Sequence, residues 1–161
     1  MAPIKRSIYL QPLSREHHFS LLFGWKLRQG IKRNIPVERI LPYVLYFEKS
    51  MLITHFKEEE DCLFIFDEGL LVKQAITEHK EILQIIDQFK QAPLNTQYEQ
   101  LNALADKIDS HVRLEERELF PYLESKLSQE QLQSVLKCTK NGPAAFDDFE
   151  DEFWNENKDK K

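Results

Sequence analysis

The sequence predicts an all-α protein built around an up-down-up-down four-helix bundle, and three features support this prediction. The chain has 161 residues, which suits one domain with a substantial core. It contains only four glycines, and long stretches are rich in the good helix formers Leu, Glu, Lys and Gln. Four stretches with helical apolar periodicity are joined by short connections, which favours antiparallel neighbours.

The four predicted helices begin and end at residues that commonly start or stop helices. Ser14 is a good N-cap residue, proline is tolerated near a helix start, and Gly30 is a common kind of helix end. The predicted helices are A, from Ser14 to about Gly30; B, from about Pro36 to Phe64; C, from Leu70 to Gln91; and D, from after Thr96 to about Lys126.

The C-terminal part adds a short helix and an acidic tail. Residues 128–131 have the pattern of a capping box, which predicts a fifth helix that ends near Asn141 and Gly142. We therefore assign residues 1–143 to the bundle domain and 144–161 to the tail. Two interpretations of the tail remain open. It is either a solvated terminus or an amphipathic helix that docks on the bundle or on a partner subunit. The tail carries Phe146, Phe149, Phe153 and Trp154, and the second interpretation rests on the three phenylalanines, which are three and four residues apart.

Charge and hydropathy exclude several classes of protein. The formal net charge of -5 provides no excess of positive charge for nucleic acid, so we expect no such partner. No apolar run is long enough for a signal peptide or a membrane span, so we expect a cytoplasmic protein. Cys62 and Cys138 belong to no metal-ligand cluster, and we expect both to be reduced thiols.

An internal repeat is the strongest chemical signal in the sequence. Residues 55–64 and 111–120 align without gaps as His-x-basic-x-Glu-Glu-x-x-Leu-Phe. One copy lies late in helix B and the other late in helix D. The repeat is expected if two helical hairpins, A with B and C with D, are related by a pseudo-two-fold axis.

Each copy of the repeat places a histidine and a glutamate on the apolar face of its helix. His55 and Glu59, like His111 and Glu115, are four residues apart and can reach the same metal ion. A buried carboxylate costs several kcal/mol unless a cation compensates it. Two inward glutamates therefore predict cations between them.

Helices C and A add further candidate ligands. His79 lies in the middle of the apolar stripe of helix C. Helix A offers both His17 and His18. We prefer His18, because aligning it with His79 places apolar residues of helix A over those of helix C, whereas His17 would place Ser20 over Ile82. His17 is then a surface residue or supports a ligand from outside.

The predicted metal site thus takes one histidine from each helix and two glutamates. We assign no catalytic residue. Imidazole and carboxylate donors together suit first-row transition metals such as iron or manganese. We assign the neighbouring acids Glu58, Glu60 and Glu116 to solvated faces or to salt bridges with Lys57 and Arg113, although Glu58 could still reach the site. The predicted ligands are His18, His55, Glu59, His79, His111 and Glu115.

These residues resemble the hemerythrin-like HHE cation-binding family. The resemblance is most specific in Ser14–His18, His55–Phe64, Glu78–Ile82 and His111–Pro121. It implies an oxo- or hydroxo-bridged di-iron centre, in preference to manganese or zinc. One iron would be served by the histidines of A and B and the other by those of C and D, with Glu59 and Glu115 bridging.

The ligand set differs from that of the oxygen-carrying hemerythrins, which use five histidines and one aspartate. Four histidines and two glutamates are more similar to iron-repair, nitrosative-stress and sensing members, although this chain has no cysteine before Cys62. We expect interaction with O2 or NO in sensing, storage or stress protection. The alternatives are a di-iron oxidase, peroxidase or iron-repair protein, or an interaction module with a structural metal. A second copy or another protein would bind through the tail.

Overall fold

The computed structural model describes residues 5–139 and 147–158, and within these ranges the regular structure is helical throughout. Four long helices form the predicted bundle, and a short fifth helix follows them. We name these helices α1 (Gln11–Lys32), α2 (37–66), α3 (Leu70–Gln91), α4 (97–126) and α5 (Gln129–Thr139). Helix α4 packs along both α1 and α3.

Helices α2 and α4 change their hydrogen-bonding pattern along their length. Helix α2 consists of Val37–Phe47 (α), Glu48–Leu52 (π), Ile53–Glu58 (α), Glu59–Leu63 (π) and Phe64–Phe66 (3₁₀). Helix α4 consists of Gln97–Leu114 (α), Glu115–Leu119 (π) and Phe120–Lys126 (α). A π segment begins at the same position of both copies of the repeat, at Glu59 and at Glu115. Such widened turns are frequent at functional sites because they redirect side chains.

Two predicted helix starts have different outcomes. Helix α1 begins at Gln11, with proline in its first turn, so Ser14 lies inside the helix and does not cap it. At α5 the capping box is confirmed. The Ser128 hydroxyl accepts a hydrogen bond from the amide of Gln131, and the Gln131 side chain accepts one from the amide of Ser128. The predicted end of this helix near Asn141 and Gly142 lies outside the described residues.

Two apolar clusters fill the bundle, and a layer of polar side chains separates them. Each long helix crosses this layer. In α3, for example, Ala75 belongs to one cluster, Ile82 to the other, and the buried His79 lies between them. The first cluster includes Phe23, Leu27, Ile40, Tyr43, Phe47, Ile86 and Phe89, and the second includes Leu10, Leu13, Leu63, Val72, Leu119, Phe120 and Val135.

The C-terminal segment 147–158 covers the end of the first cluster. It has no α-helix, so it matches neither the docked amphipathic helix nor the solvated terminus of the two interpretations. Phe153 is fully buried, and the Asp147 carboxylate accepts hydrogen bonds from the buried Lys26 ammonium at 2.7 Å and from the Tyr43 hydroxyl at 2.6 Å. Phe146 lies outside the described residues.

The expectation of two reduced thiols is wrong, because Cys62 and Cys138 form a disulfide with their Cα atoms 5.8 Å apart. The sequence could not show this pairing, because the two residues are 76 positions apart and meet only when α5 packs on the π segment of α2. None of the described helices is long and apolar enough to cross a membrane.

Candidate metal centre

Six buried side chains converge in the polar layer between the two apolar clusters. Four are histidines, one from each long helix, and two are the glutamates that begin the π segments of α2 and α4. Every one of them is at most 3% exposed. The six residues are His17, His55, Glu59, His79, His111 and Glu115.

The histidines all present Nε2 to the two carboxylates. Glu59 contacts His55 at 2.9 Å through one carboxylate oxygen and His79 at 3.0 Å through the other. Glu115 similarly contacts His111 at 3.1 Å and His17 at 2.8 Å through different oxygens. Each glutamate thus connects one histidine of its own helix with one histidine of another hairpin.

Although these atoms lie close together, their geometry is not that of hydrogen bonds. The four Nε2 atoms and all four carboxylate oxygens are buried and have no partner with hydrogen-bond geometry. An unsatisfied buried polar atom costs about 1–3 kcal/mol, and more when it is charged. Eight such atoms that face one another fit a site built for cations.

The donors divide into two overlapping groups, each compact enough to hold one ion. One group contains His17 and His55, the other contains His79 and His111, and both include Glu59 and Glu115. Within each group the potential ligand atoms lie within 4.8 Å of one another. This arrangement can place two metal ions side by side, with both carboxylates between them.

A second layer of carboxylates orients the histidines. The Nδ1 of His17 contacts Glu116 at 2.6 Å, and that of His79 contacts Glu60 at 2.8 Å. The other two pairs are His55 with Glu16, at 2.5 Å, and His111 with Glu78, at 3.0 Å. An ionised carboxylate only accepts hydrogen bonds, so Nδ1 carries the proton in each pair and Nε2 is left to bind a metal.

The structure places His17 in the cluster, and the predicted helix A ligand, His18, lies outside it. His18 is exposed, whereas His17 is buried beside Glu59 and Glu115. The alignment failed because the inner face of α1 carries the small residues Ser20 and Gly24 where α3 has Ile82 and Ile86. A Cβ added to Gly24 would lie 3.7 Å from the Cβ of Ala105, so α1 and α4 approach closely here.

The assignment of Glu60 and Glu116 to solvated faces or surface salt bridges is also wrong, because both bind a site histidine. Sequence reasoning gave Glu16 and Glu78 no role. A usable signal was present, since the dipeptide Glu-His occurs in both α1 and α3, at Glu16 and Glu78. Aligning these dipeptides selects His17. Glu58, the third acid, has a raised pKa because of burial and the nearby Glu16.

The carboxylates keep protons on the histidines when no metal is bound. Burial by itself lowers the pKa of His55, but Glu59 and Glu16 raise it to about 9. Burial also lowers the pKa of His79, but Glu115 and Glu59 outweigh this effect and raise the pKa to about 10. A metal ion must displace protons from Nε2, so metal binding and proton release are coupled.

The glutamates remain ionised despite their complete burial. Burial and the charge of Glu59 raise the pKa of Glu115, but His111 and His17 outweigh them and bring it to about 2. Burial also opposes ionisation of Glu59, yet His55 and His17 hold its pKa well below the usual value. Both carboxylates are thus available as anionic donors at neutral pH.

The fold and the His/Glu layer define a class of helical bundle that binds cations in its core. The sequence profile of the hemerythrin HHE cation binding domain matches residues 16–123 and 70–149, and the chain belongs to this family. The second match begins at the start of α3, at the second hairpin. No curated protein and no solved structure matches the chain significantly. The division into a bundle domain and a tail at residue 143 stays a prediction.

Proposed function

We propose that this is a non-heme di-iron protein that interacts with O2 or NO in sensing, storage or stress protection. One observation carries the proposal: two groups of four buried donors overlap through the shared carboxylates Glu59 and Glu115. Carboxylates shared in this way suit a pair of adjacent ions. We propose His17, His55, Glu59, His79, His111 and Glu115 as the metal ligands.

The charge of the two layers favours a metal that reaches the +3 state. Six carboxylates surround the cluster, two inside and four bound to the outer nitrogens of the histidines. Two divalent ions would bring only four positive charges, and the Arg6 guanidinium, 2.7 Å from Glu116, adds one more. Iron reaches +3 readily and zinc does not, so this balance favours iron.

The chain prepares the site before a metal arrives. Outer carboxylates fix the tautomer and ring orientation of each histidine, and the rings also pack against aromatic neighbours such as Phe56 on His79 and Phe120 on His17. The histidines and glutamates project from helices, which hold ligands more rigidly than loops do.

Open coordination positions support the interaction with a small molecule. Each group supplies four residues, and both carboxylates are shared between the groups, so the protein does not fill the coordination sphere of two iron ions. When bound, the iron pair would supply a redox couple and positions for a diatomic ligand. The apolar clusters on both sides exclude bulk water from this layer.

Anaerobic reconstitution tests the proposal. The full chain is loaded with ferrous ion, and absorption spectra are recorded before and after exposure to air or NO. We expect two irons per chain and, after air, the absorption of an oxo-bridged di-iron centre. The His18→Ala variant should give the same spectra. Loss of iron on desalting, or spectra that neither gas changes, would contradict the proposal.

A cytoplasmic location remains a prediction. Disulfides persist mainly in oxidising compartments, so the bond between Cys62 and Cys138 makes the location worth direct measurement. Cell fractionation combined with alkylation of free thiols would show where the chain resides and whether its cysteines are paired there. Recovery outside the cytoplasm with paired cysteines would refute the expected location.

A further inference from the structure

The two halves of the metal centre are related by pseudo-two-fold symmetry in their contacts. The pair His17 with Glu116, between α1 and α4, corresponds to His79 with Glu60, between α3 and α2. Phe120 stacks on His17 with ring centroids 5.3 Å apart, and its counterpart Phe64 lies 5.9 Å from His79. Any difference between equivalent positions is therefore specific to one side of the centre.

One difference lies directly beside the histidines. Phe56 is 5% exposed and stacks on His79 with ring centroids 4.0 Å apart and planes 11° apart. It also lies edge-on to His111 at 5.8 Å. The repeat places Val112 at the equivalent position of α4. Val112 is as buried as Phe56, but valine has no ring, so the α1–α4 face has no aromatic side chain at this position.

A groove of about 400 Å³ lies on the Val112 side, between α1 and α4. Leu21 and Val112 contribute its apolar lining, and Glu116, which binds His17, lies at its wall. The groove therefore leads from solvent to the residues that hold the His17 side of the centre.

Positive charge predominates in the lining of the same groove, which contains three arginines and two acidic residues. Arg28 is paired with Asp106 and Asp109, and the Glu116 carboxylate is engaged by Arg6, Ser14 and His17. By contrast, Arg113 and Arg117 are exposed and form no salt bridge within residues 5–139 and 147–158, and they also line a neighbouring groove that contains Glu78 and Glu118. On the α2–α3 face the repeat has Lys57 and Asp61 at these positions, whose charges cancel.

We propose that small ligands reach the centre through the α1–α4 groove, past Val112, and that Arg113 and Arg117 attract anionic ligands to its mouth. This inference rests on the proposed function, because it assumes a metal centre with open positions. Val112 is the residue that sets the size of the passage, and Phe56 closes the equivalent passage on the other side. The ligands it admits are diatomic molecules and small anions.

Access can be measured without any iron chemistry. In the full chain loaded with diamagnetic zinc, dissolved O2 enhances the NMR relaxation of the side chains it reaches. We expect a larger enhancement at the Val112 methyls than at the Phe56 ring, and in the Phe56→Val variant a rise at residue 56 toward the level of Val112. Equal enhancement at both residues in the unchanged chain would overturn the proposal.

The rate of azide binding to the iron-loaded protein gives a second test. We expect Val112→Phe to slow association and Phe56→Val, which opens the second face, to accelerate it. If Val112→Phe does not fold, Val112→Ala should accelerate association. The double variant Arg113→Gln with Arg117→Gln should slow azide by about tenfold at low salt and leave NO unaffected. Rates independent of residue 112 would contradict the proposal.

The two proposals fail in different ways. If the chain retains neither zinc nor iron, the proposed metal centre is wrong. If the chain retains metal but the substitutions at Phe56 and Val112 change neither the relaxation enhancement by O2 nor the rate of azide binding, the metal centre is right and only the access route is wrong.

Discussion

The two helical hairpins, α1 with α2 and α3 with α4, carry the same ligand scheme on sequences that differ elsewhere. Each contributes two histidines, one buried glutamate that begins a π segment, and two outer carboxylates. The positions that supply the cluster thus carry the same residue types in both hairpins. This match distinguishes the residues that build the site from those that only surround it.

Among the differences between equivalent positions of the repeat are two of residue type and one of exposure. Phe56 corresponds to Val112, the disulfide-bonded Cys62 corresponds to the exposed Glu118, and Glu60, 37% exposed, corresponds to the more enclosed Glu116. The first difference concerns access, the second tethers α5 to one hairpin, and the third changes how firmly one histidine is held. Mutations at positions that are alike in the two hairpins should have equal effects, whereas mutations at these three pairs of positions should have different effects.

The largest effect is expected at the two shared carboxylates. Glu59→Ala and Glu115→Ala each remove a donor from both groups, so each variant should lose both ions. Metal content after gel filtration measures this loss, with circular dichroism to show that the helices remain. The control is Glu118→Ala, an exposed neighbour, which should keep full metal content. Retention of both ions by either shared-carboxylate variant would show that the glutamates are not bridging ligands.

Removal of a single histidine should cause a smaller loss of metal than removal of a shared glutamate. The loss should be the same in both hairpins. His17→Ala and His79→Ala each remove a ligand from one group, so each should weaken one ion and spare the other. Stepwise titration with cobalt and its visible absorption would count the sites. His18→Ala is the matched control because His18 is exposed and adjacent. A loss with His18→Ala and none with His17→Ala would restore the register predicted from sequence.

The outer carboxylates should have intermediate and unequal effects. Glu116→Gln and Glu60→Gln each weaken the orientation of one histidine, which typically costs about 10–100-fold in metal affinity. Glu116→Gln should cost more, because it also deprives the 7%-exposed Arg6 of one of its two carboxylates. Competition with a chelator would rank the variants. A larger loss for Glu60→Gln would mean that Arg6 does not support the site.

The disulfide should have the smallest effect on the centre. Cys138→Ser opens a cross-link between residues 76 positions apart, which should lower the free energy of unfolding by about 2–4 kcal/mol. Metal content should not change, because neither sulfur belongs to the donor groups. Denaturant unfolding and metal analysis on the same sample would separate the two effects. Metal loss in the folded variant would show that the tether holds the π segment of α2 in place.

The sequence predicted the parts of the site that recur. The repeat located His55, Glu59, His111 and Glu115, because a fixed spacing on an apolar helix face determines where side chains project. The same reasoning failed on α1, where the small residues Ser20 and Gly24 take the place of the apolar stripe at the close approach to α4. Hydrophobicity then favours the wrong neighbour, His18.

The sequence could not predict features that depend on tertiary packing. The docking of the tail relies on Lys26, a charged residue buried against Asp147 with its ammonium 3.9 Å from the Trp154 ring. No local pattern distinguishes such a lysine from an exposed one. The outer carboxylates were missed for a similar reason, since each of the four lies on a different helix from the histidine that it orients.

Iron-edge anomalous diffraction from crystals of the iron-loaded chain tests the central claim most directly. The account predicts two peaks per chain, one beside His17 and His55 and one beside His79 and His111, with the Glu59 and Glu115 carboxylates in contact with both. A single peak, a peak beside His18, or iron bound away from these glutamates would contradict it.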